Sequence, residues 1–474
     1  MPDIRYVCLS DMHLGADNSI LTKILPGSIE VDPLTPDPVL CQLVACLRHL
    51  IEKNESPQKP VLVLNGDILE MALSDVNKAA MVFERFIELV FPKDAEALFD
   101  EHILYIPGNH DHHIWESARE TQYVNFISTI EPGAALKAPW HTTKMVAPDP
   151  VKEYFLTNLL KHRPHRGNTV VQVVYPNYAL FTSDEQKCII FSHGHYVESI
   201  YSLMSTLNTM IFPNRKKPTM IWDLEAENFA WVDFFWSTMG RSGDVGQSIG
   251  LLYDKMQDQQ QFEKLIDNFV TSLVERSNYL PHWLEGVEVA GLKLFVRFIL
   301  SHISQLESKR LDQYLSPDAR QGLKFFMEVP LREQLLVEHQ QIIPQDITFV
   351  FGHTHKPFQQ LMDFEGYPAP VSVYNSGGWV VDKLQPHPIY GAACILIDEA
   401  LHPMTLRMYN QSTNDEAYVV DVAESLRSGA THSPFYKRIH ALVQPDRDPW
   451  KSFSSSVAEA VRIHAHVLQT KINL

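Results

Sequence analysis

The stretch Ile103–Asp111, with the sequence ILYIPGNHD, joins an apolar run typical of a buried strand to Gly, Asn, His and Asp. An Asp or His at the carboxyl end of a buried strand is desolvated on one side and open on the other, and α/β sheets place their chemistry at this edge. Four further stretches have the same form, an apolar run followed by Asp or His: IRYVCLSDMH (4–13), VLVLNGD (61–67), CIIFSHGH (188–195) and ITFVFGHTH (347–355). Five such stretches predict one site at which the strand ends meet.

The composition is that of a soluble globular protein. The 474 residues are 45% hydrophobic and 20% charged, which is ordinary for this class, and the chain is longer than one compact domain usually is. The formal net charge of −17 opposes non-specific binding to a phosphate backbone, so a nucleic-acid partner is disfavoured.

The cysteines and the chain start predict a cytoplasmic protein. The five cysteines lie within apolar runs and show no CxxC pairing, which indicates buried thiols in a reducing compartment. The first strand begins at Ile4 and leaves no room for a signal peptide. No apolar run approaches the roughly 20 residues that a transmembrane helix needs.

Strand and helix patterns divide the chain into four parts. Residues 1–195 alternate strands with helices, such as those predicted over Val39–Lys53 and Ala79–Val90, which is typical of an α/β core. Residues 196–346 form amphipathic helices, the clearest over Phe262–Val274, and strand character returns after residue 346. We therefore expect a catalytic core in two parts, residues 1–195 and 347–415. Residues 196–346 would form a helical insertion or cap, and residues 416–474 a C-terminal helical region.

The polar residues at the strand ends suit divalent metal ions. Carboxylate, imidazole and amide oxygen ligands together favour Mn²⁺, Fe²⁺, Co²⁺ or Zn²⁺. A central carboxylate can bridge two ions about 3.5–4 Å apart, which then activate water and clamp a phosphoryl group. Taken alone, Asp11 with His13 could be a strand-end cap and Gly66-Asp67 a turn, whereas Gly108–Asp111 and Gly352–His355 are harder to explain in this way.

The order D-x-H, G-D, G-N-H-D, H and G-H-x-H is similar to that of the calcineurin-like metallophosphoesterase superfamily, over residues 1–195 and 347–410. The resemblance implies an α/β sandwich of two mixed β-sheets flanked by helices, here with a large helical insertion. It also implies two metal sites with a shared ligand. The first metal would be bound by Asp11, His13 and His355, the second by Asn109, His193 and His353, and both by Asp67.

In the same pattern, His110 faces the substrate as an acid or charge stabiliser, and Asp111 orients its ring. The resemblance implies two divalent ions, Mn²⁺ first, with Fe, Zn, Co or Ni as alternatives. Glu70 stands where purple acid phosphatases carry a ferric-binding tyrosine, which argues against a tyrosinate–iron centre. His195 follows a predicted ligand at ligand spacing, but a loop-stabilising role is favoured for it.

The predicted function is that of a dinuclear metal-dependent hydrolase, which cleaves phosphoester or pyrophosphate bonds by attack of a metal-bridging hydroxide. The alternatives are a nuclease of the same superfamily, which the charge of −17 disfavours, and a non-catalytic metal-binding scaffold, which the complete ligand set disfavours.

The substrate is expected to be a small phosphorylated molecule or a nucleotide or lipid pyrophosphate. Ser10–Gly15, His193–His195 and Gly352–Pro357 look like the branch around UDP-2,3-diacylglucosamine pyrophosphohydrolase, although those enzymes are shorter and usually have Arg in place of His110. The insertion should emerge beside the site, where its aromatic residues, Trp222 to Trp236, could receive acyl chains or a base. They could equally form the core of the insertion or a dimer interface, and peripheral membrane contact through the insertion is a further option. The oligomeric state stays open.

Overall fold

The structure is a computed structural model that describes residues 2–149, 151–162, 169–212, 214–233, 313–427 and 429–473. The middle of the predicted insertion lies outside the described residues, together with the helix predicted over Phe262–Val274 and the aromatic residues Phe234, Phe235 and Trp236.

The strands, numbered in chain order, are β1 Ile4–Leu9, β2 Val61–Asn65, β3 His102–Ile106, β4 Val151–Lys152, β5 Val170–Val173, β6 Asn177–Phe181, β7 Lys187–Ser192, β8 Asp346–Phe351, β9 Phe358–Met362, β10 Val371–Asn375, β11 Gly391–Asp398, β12 Pro403–Asn410 and β13 Asp421–Ala423. The α-helices of the described residues are α1 Pro38–Ile51, α2 Val76–Val90, α3 His112–Thr129, α4 Tyr154–His162, α5 Leu203–Ile211, α6 Ile221–Asp233, α7 Pro317–Phe326, α8 Arg332–Glu338, α9 Pro434–Leu442 and α10 Trp450–Asn473.

The strands form two mixed sheets, which confirms the predicted fold class. The larger sheet has the order β13-β12-β11-β1-β2-β3-β5-β4, and its central strands β1, β2, β3 and β5 are parallel. The smaller sheet has the order β6-β7-β8-β10-β9, with β7, β8 and β10 parallel. The parallel strands of each sheet carry their loops at the carboxyl edge, where side chains from different strands can meet.

The strands of both sheets bury both faces, because the sheets pack on each other and on helices. Side chains alternate along a strand: on β7, Ile189 and Phe191 join an apolar cluster that also contains Cys8 of the larger sheet, whereas Ile190 packs in a cluster with α7. On the outer face of the larger sheet, Val7 packs with residues of α1 and α2. The two sheets therefore hold the strand ends in fixed relative positions.

The predicted helices α1 and α2 are confirmed, and the structure adds several strands that were not predicted. The helices predicted over Val39–Lys53 and Ala79–Val90 are present as α1 and α2, and Asp37 caps α1 by accepting a hydrogen bond from the Val39 amide at 2.7 Å. The short strands β4, β5, β6 and β9 were not predicted. Strand β13 extends the larger sheet into the region predicted to be helical, before α9 and α10.

Two of the sequence predictions concern the state of the cysteines and the length and apolarity of the helices. The five cysteines are free thiols, as predicted, and all except Cys41 are buried. None of the helices in the described ranges combines the length and apolarity that crossing a bilayer requires.

Helix α10 supports the loop that carries Asp11. Its residue Phe453 is fully buried and packs edge-on against the indole of Trp379, with ring centroids 6.4 Å apart. The backbone N–H of Trp379 in turn donates to the carbonyl oxygen of Asp11 at 3.0 Å. The C-terminal helix is thus part of the core that positions this loop.

The substitution Phe453→Ala should lower the free energy of unfolding by about 3–5 kcal/mol, because it leaves a cavity beside Trp379. Urea unfolding followed by far-UV circular dichroism measures the loss. Ile463→Ala on the same helix is the control: Ile463 is 41% exposed, and its truncation should cost less than about 0.5 kcal/mol. Equal losses in both variants would contradict this packing role.

Candidate metal centre

Five of the seven predicted metal ligands have a left-handed backbone. The φ angles are 50° at Asp11, 44° at His13, 51° at Asp67, 64° at His353 and 54° at His355. Residues with a side chain rarely adopt this conformation, which costs about 1–3 kcal/mol each and persists only where the surrounding structure enforces it. The strained backbone conformations therefore cluster on the strand-end loops that carry the candidate ligands.

Hydrogen bonds between the loops enforce these conformations. The backbone N–H of Asp11 donates to the Gly66 carbonyl oxygen, and that of His13 to the Asp67 carbonyl oxygen, both at 2.9 Å. The His353 N–H donates to Oδ1 of Asp11 at 2.7 Å. Loops from both sheets are therefore tied to one another through the candidate ligands themselves.

The first group of donors contains Asp11, His13 and His355, whose ligand atoms lie within 4.8 Å of one another. The Nε2 atoms of His13 and His355 are 3.3 Å apart, and Nε2 of His355 is 3.6 Å from Oδ1 of Asp11. Each Nδ1 faces a second carboxylate: His13 faces Glu70 at 2.9 Å and His355 faces Asp382 at 2.8 Å. A carboxylate beside Nδ1 favours the tautomer with the ring proton on that atom, which leaves the Nε2 lone pair available to a cation.

The second group contains Asp67, His193 and His353, again with ligand atoms within 4.8 Å. Nε2 of His193 lies 3.2 Å from Oδ2 of Asp67 and 3.0 Å from Oδ1 of Asn109. The same Oδ2 of Asp67 is 3.9 Å from Nε2 of His13 in the first group. The Asp67 carboxylate thus lies between the two groups, where a bridging ligand would be.

The predicted role of Asp111 in orienting the His110 ring is wrong. Nδ1 of His110 lies 2.9 Å from Oε1 of Glu70, so Glu70 holds this ring as well as that of His13. The Asp111 carboxylate instead accepts hydrogen bonds from the backbone N–H groups of Gly108 at 2.6 Å and Ile68 at 2.8 Å. A fully buried carboxylate needs such donors, and here they connect the loop after β3 to the loop after β2.

The carboxylates give the site a strong preference for positive charge. Burial lowers the pKa of His110, but Glu70 and Asp67 outweigh it and raise this pKa to about 10. Burial likewise lowers the pKa of His193, and Asp67 outweighs it to give a value of about 9. Burial raises the pKa of Asp67, but His193 and His110 hold it well below its usual range. The space between these groups is therefore suited to protons or cations.

Three carboxylates contact candidate ligand rings in ways that sequence reasoning did not predict. Glu70, three residues after Asp67, was noted in the sequence only as evidence against a tyrosinate–iron centre, and not as a partner of the histidine rings. Asp382 contacts His355, and Glu198 lies 3.2 Å from Nε2 of His353. The sequence positions of these last two carry no motif that would indicate the contacts.

Other histidines lie near the site but outside the two groups. His195 is buried and its ring stacks on Tyr175, with Nε2 3.4 Å from the tyrosine hydroxyl, which agrees with the loop-stabilising role favoured for it. His113, Glu116 and Asp233 form a further cluster of metal-binding side chains between α3 and α6. This cluster shares no residue with the two groups described above.

A cavity opens above the two groups. Its wall includes side chains from both groups, three tyrosines and two lysines: Asp67, Asn109, His110, His353, His355, Tyr201, Tyr314, Tyr390, Lys356 and Lys383. The described residues of the predicted insertion contribute Glu198 and Tyr201 from one side and Tyr314, Ser316 and Ala319 from the other. A small molecule entering this cavity would reach the candidate ligands directly.

Part of the chain matches the model of a known protein family. Residues 4–222 match the family model described as calcineurin-like phosphoesterase. No curated protein matches the chain. The matched range contains four of the five polar stretches, and the fold brings the fifth, Gly352–His355, to the same place.

Gly66→Ala should weaken Mn²⁺ binding at least about tenfold, because ligand orientation typically contributes 10–100-fold to affinity. Gly66 has φ of 83°, and a Cβ atom there would lie 2.3 Å from Nδ1 of His193. The measurement is calorimetric titration of metal-free protein. Gly133→Ala is the control, since Gly133 has φ of 85° and no atom within 4 Å of the added Cβ. Wild-type affinity in Gly66→Ala would contradict the placement of His193.

Glu70→Gln should lower the pKa of His110 from about 10 toward its ordinary value of 6.5, because the substitution removes the carboxylate beside Nδ1. NMR titration of the histidine ring signals in metal-free protein measures the change, and His110→Gln identifies the signal. Glu96→Gln, at a fully exposed carboxylate paired with Lys59, is the control. An unchanged His110 pKa in Glu70→Gln would refute the orienting contact.

Proposed function

We propose that the chain, whose residues 4–222 match the calcineurin-like phosphoesterase family model, hydrolyses phosphoester or pyrophosphate bonds with the help of two divalent ions, Mn²⁺ being the first candidate. The observation that carries the proposal is the pair of histidine–carboxylate groups with Asp67 between them. The substrate would be a small phosphorylated molecule that reaches both groups through the cavity.

The donor set fits two divalent ions. Asp11, His13 and His355 would hold one ion, Asn109, His193 and His353 the other, and Asp67 would contact both. Nitrogen and oxygen donors in this mixture suit Mn²⁺, Fe, Co, Ni and Zn. When bound, such a pair of ions lowers the pKa of a water molecule toward neutrality and neutralises charge on a phosphoryl group.

The protein's own side chains would do the remaining work. His110 lines the cavity, and the contact of its Nδ1 with Glu70 fixes the ring. Because Glu70 and Asp67 favour the protonated ring, His110 can offset negative charge on the phosphoryl oxygens or supply a proton to the leaving oxygen. Positioned acids of this kind contribute about 10²–10⁴-fold. Asp111 acts indirectly, by holding the backbone of the Gly108 loop.

The two alternative functions are less well supported. A nuclease would need a surface that attracts a phosphate backbone, which the net charge of −17 opposes. A non-catalytic scaffold has no need for strained backbone at five candidate ligands. The closer resemblance to lipid pyrophosphate hydrolases, the cytoplasmic location and peripheral membrane contact stay predictions.

The test combines metal content with hydrolysis of bis(4-nitrophenyl) phosphate by Mn²⁺-loaded protein. Wild-type protein should contain about two ions per chain and turn over the diester. Asp67→Asn should lose at least one ion and more than about 10²-fold in kcat/KM, since the shared ligand is weakened. Asp184→Asn, on an exposed turn, should match wild type. Full metal content and activity in Asp67→Asn, or no turnover by metal-loaded wild type, would overturn the proposal.

A further inference from the structure

Two lysines line the cavity on the side of the first donor group. Lys356 directly follows His355, and Lys383 directly follows Asp382. The contact between Nδ1 of His355 and Oδ2 of Asp382, at 2.8 Å, fixes the two lysine-bearing loops relative to each other. In a chain with a net charge of −17, two ammonium groups on one cavity wall indicate a local preference for anions.

The contacts of Lys356 leave its charge available to a ligand. Its Nζ donates to the carbonyl oxygen of Gln313 at 3.3 Å and lies 5.4 Å from the centre of the Tyr390 ring. Both of these partners are uncharged. Within the described part of the chain, no carboxylate forms an ion pair with Lys356. The half-buried ammonium group is thus held in place on the cavity wall without being neutralised.

The carboxylates on the same wall face histidines, although Glu198 is also close enough to attract Lys356. Glu198 faces Nε2 of His353 at 3.2 Å, and Asp382 faces Nδ1 of His355. Each of these carboxylates is therefore paired with a histidine of a donor group. An anion that binds at the lysines would therefore not have to displace a carboxylate that forms an ion pair with Lys356.

We propose that Lys356, together with Lys383, forms a second anion subsite beside the metal centre, and that the preferred substrates carry a second phosphoryl group next to the one that is attacked. Such substrates are phosphoric anhydrides, the pyrophosphate class, as opposed to simple diesters. This inference rests on the proposed hydrolase function and narrows its substrate. The aromatic faces of Tyr314 and Tyr390, which line the same cavity, suit a sugar or base attached to the second phosphoryl group.

During hydrolysis of a phosphoric anhydride, negative charge would develop on the leaving phosphate, which would be bound at this subsite. The oxygen of water forms a bond to the attacked phosphorus, and the bridging P–O bond breaks. Its electron pair stays on the bridging oxygen, which leaves as part of the second phosphate. One proton of the water goes to the leaving phosphate or to solvent, and the other stays on the attacked phosphate until it equilibrates. An ammonium group at the second phosphate offsets the charge that develops there.

The test compares Lys356→Met with wild type on two substrates. UDP-glucose contains the anhydride bond, and bis(4-nitrophenyl) phosphate has a single phosphoryl group. Lys356→Met should raise KM for UDP-glucose about tenfold or more, the effect typical of a lost charge-assisted hydrogen bond, and should change kcat/KM for the diester less than about twofold. Lys356→Arg should restore most of the loss. Lys324→Met, at an exposed lysine on the neighbouring helix α7, is the matched control and should match wild type.

A binding measurement provides an independent readout. Calorimetry of wild-type protein should show tighter binding of α,β-methylene-UDP, a non-hydrolysable diphosphate, than of UMP. Lys356→Met should bind UMP as before and lose most of the preference for the diphosphate. Retained turnover of the diester shows that the variant is folded.

Each other result contradicts the subsite. Equal losses on both substrates would assign Lys356 a general structural role, and unchanged KM and binding would remove it from recognition. Wild-type protein that hydrolyses the diester but neither cleaves UDP-glucose nor prefers the diphosphate would refute the subsite and leave the hydrolase proposal intact. Wild-type protein that cleaves neither substrate would refute the hydrolase proposal and, with it, the proposed role of the subsite in substrate selection.

Discussion

Buried carboxylates and imidazoles attract one another at the strand ends, and this attraction holds the loops of the two sheets together. Asp67 is 1% exposed and lies 3.2 Å from His193, with a second ring, that of His13, at 3.9 Å. A buried charge without a partner costs several kcal/mol, so the groups are stable only where positive charge accompanies them. The same requirement that holds protons on His110 and His193 makes the place suitable for divalent ions.

This requirement explains features beyond the ligand set. The left-handed backbone at Asp11 and His353 turns the chain sharply after each strand, and the hydrogen bond between these two residues joins the sheets at that point. Glu70 and Asp382 fix the rings of His13 and His355, so both rings present Nε2 to the centre. Packing of α10 behind the Asp11 loop adds rigidity from outside. The hydrogen bonds between the loops and the packing of α10 thus offset the backbone strain at the site.

The sequence predicted the features that depend on local pattern. Apolar runs of four to six residues indicated the strands, and the Asp or His that follows each run indicated the candidate ligands. Contacts that depend on tertiary structure were not accessible: Glu198 meets His353 across 155 residues. The error at Asp111 has the same origin, since its adjacency to His110 suggested a ring contact that the buried carboxylate replaces with backbone amides. Strand β13 is three residues long, which is too short for an alternating pattern.

Anomalous diffraction from crystals grown with Mn²⁺ would locate the proposed ions. We expect two peaks about 3.5–4 Å apart, one among Asp11, His13 and His355 and the other among Asn109, His193 and His353, with Asp67 between them. Peaks at other residues, or none at these two positions under saturating Mn²⁺, would contradict the proposed metal centre.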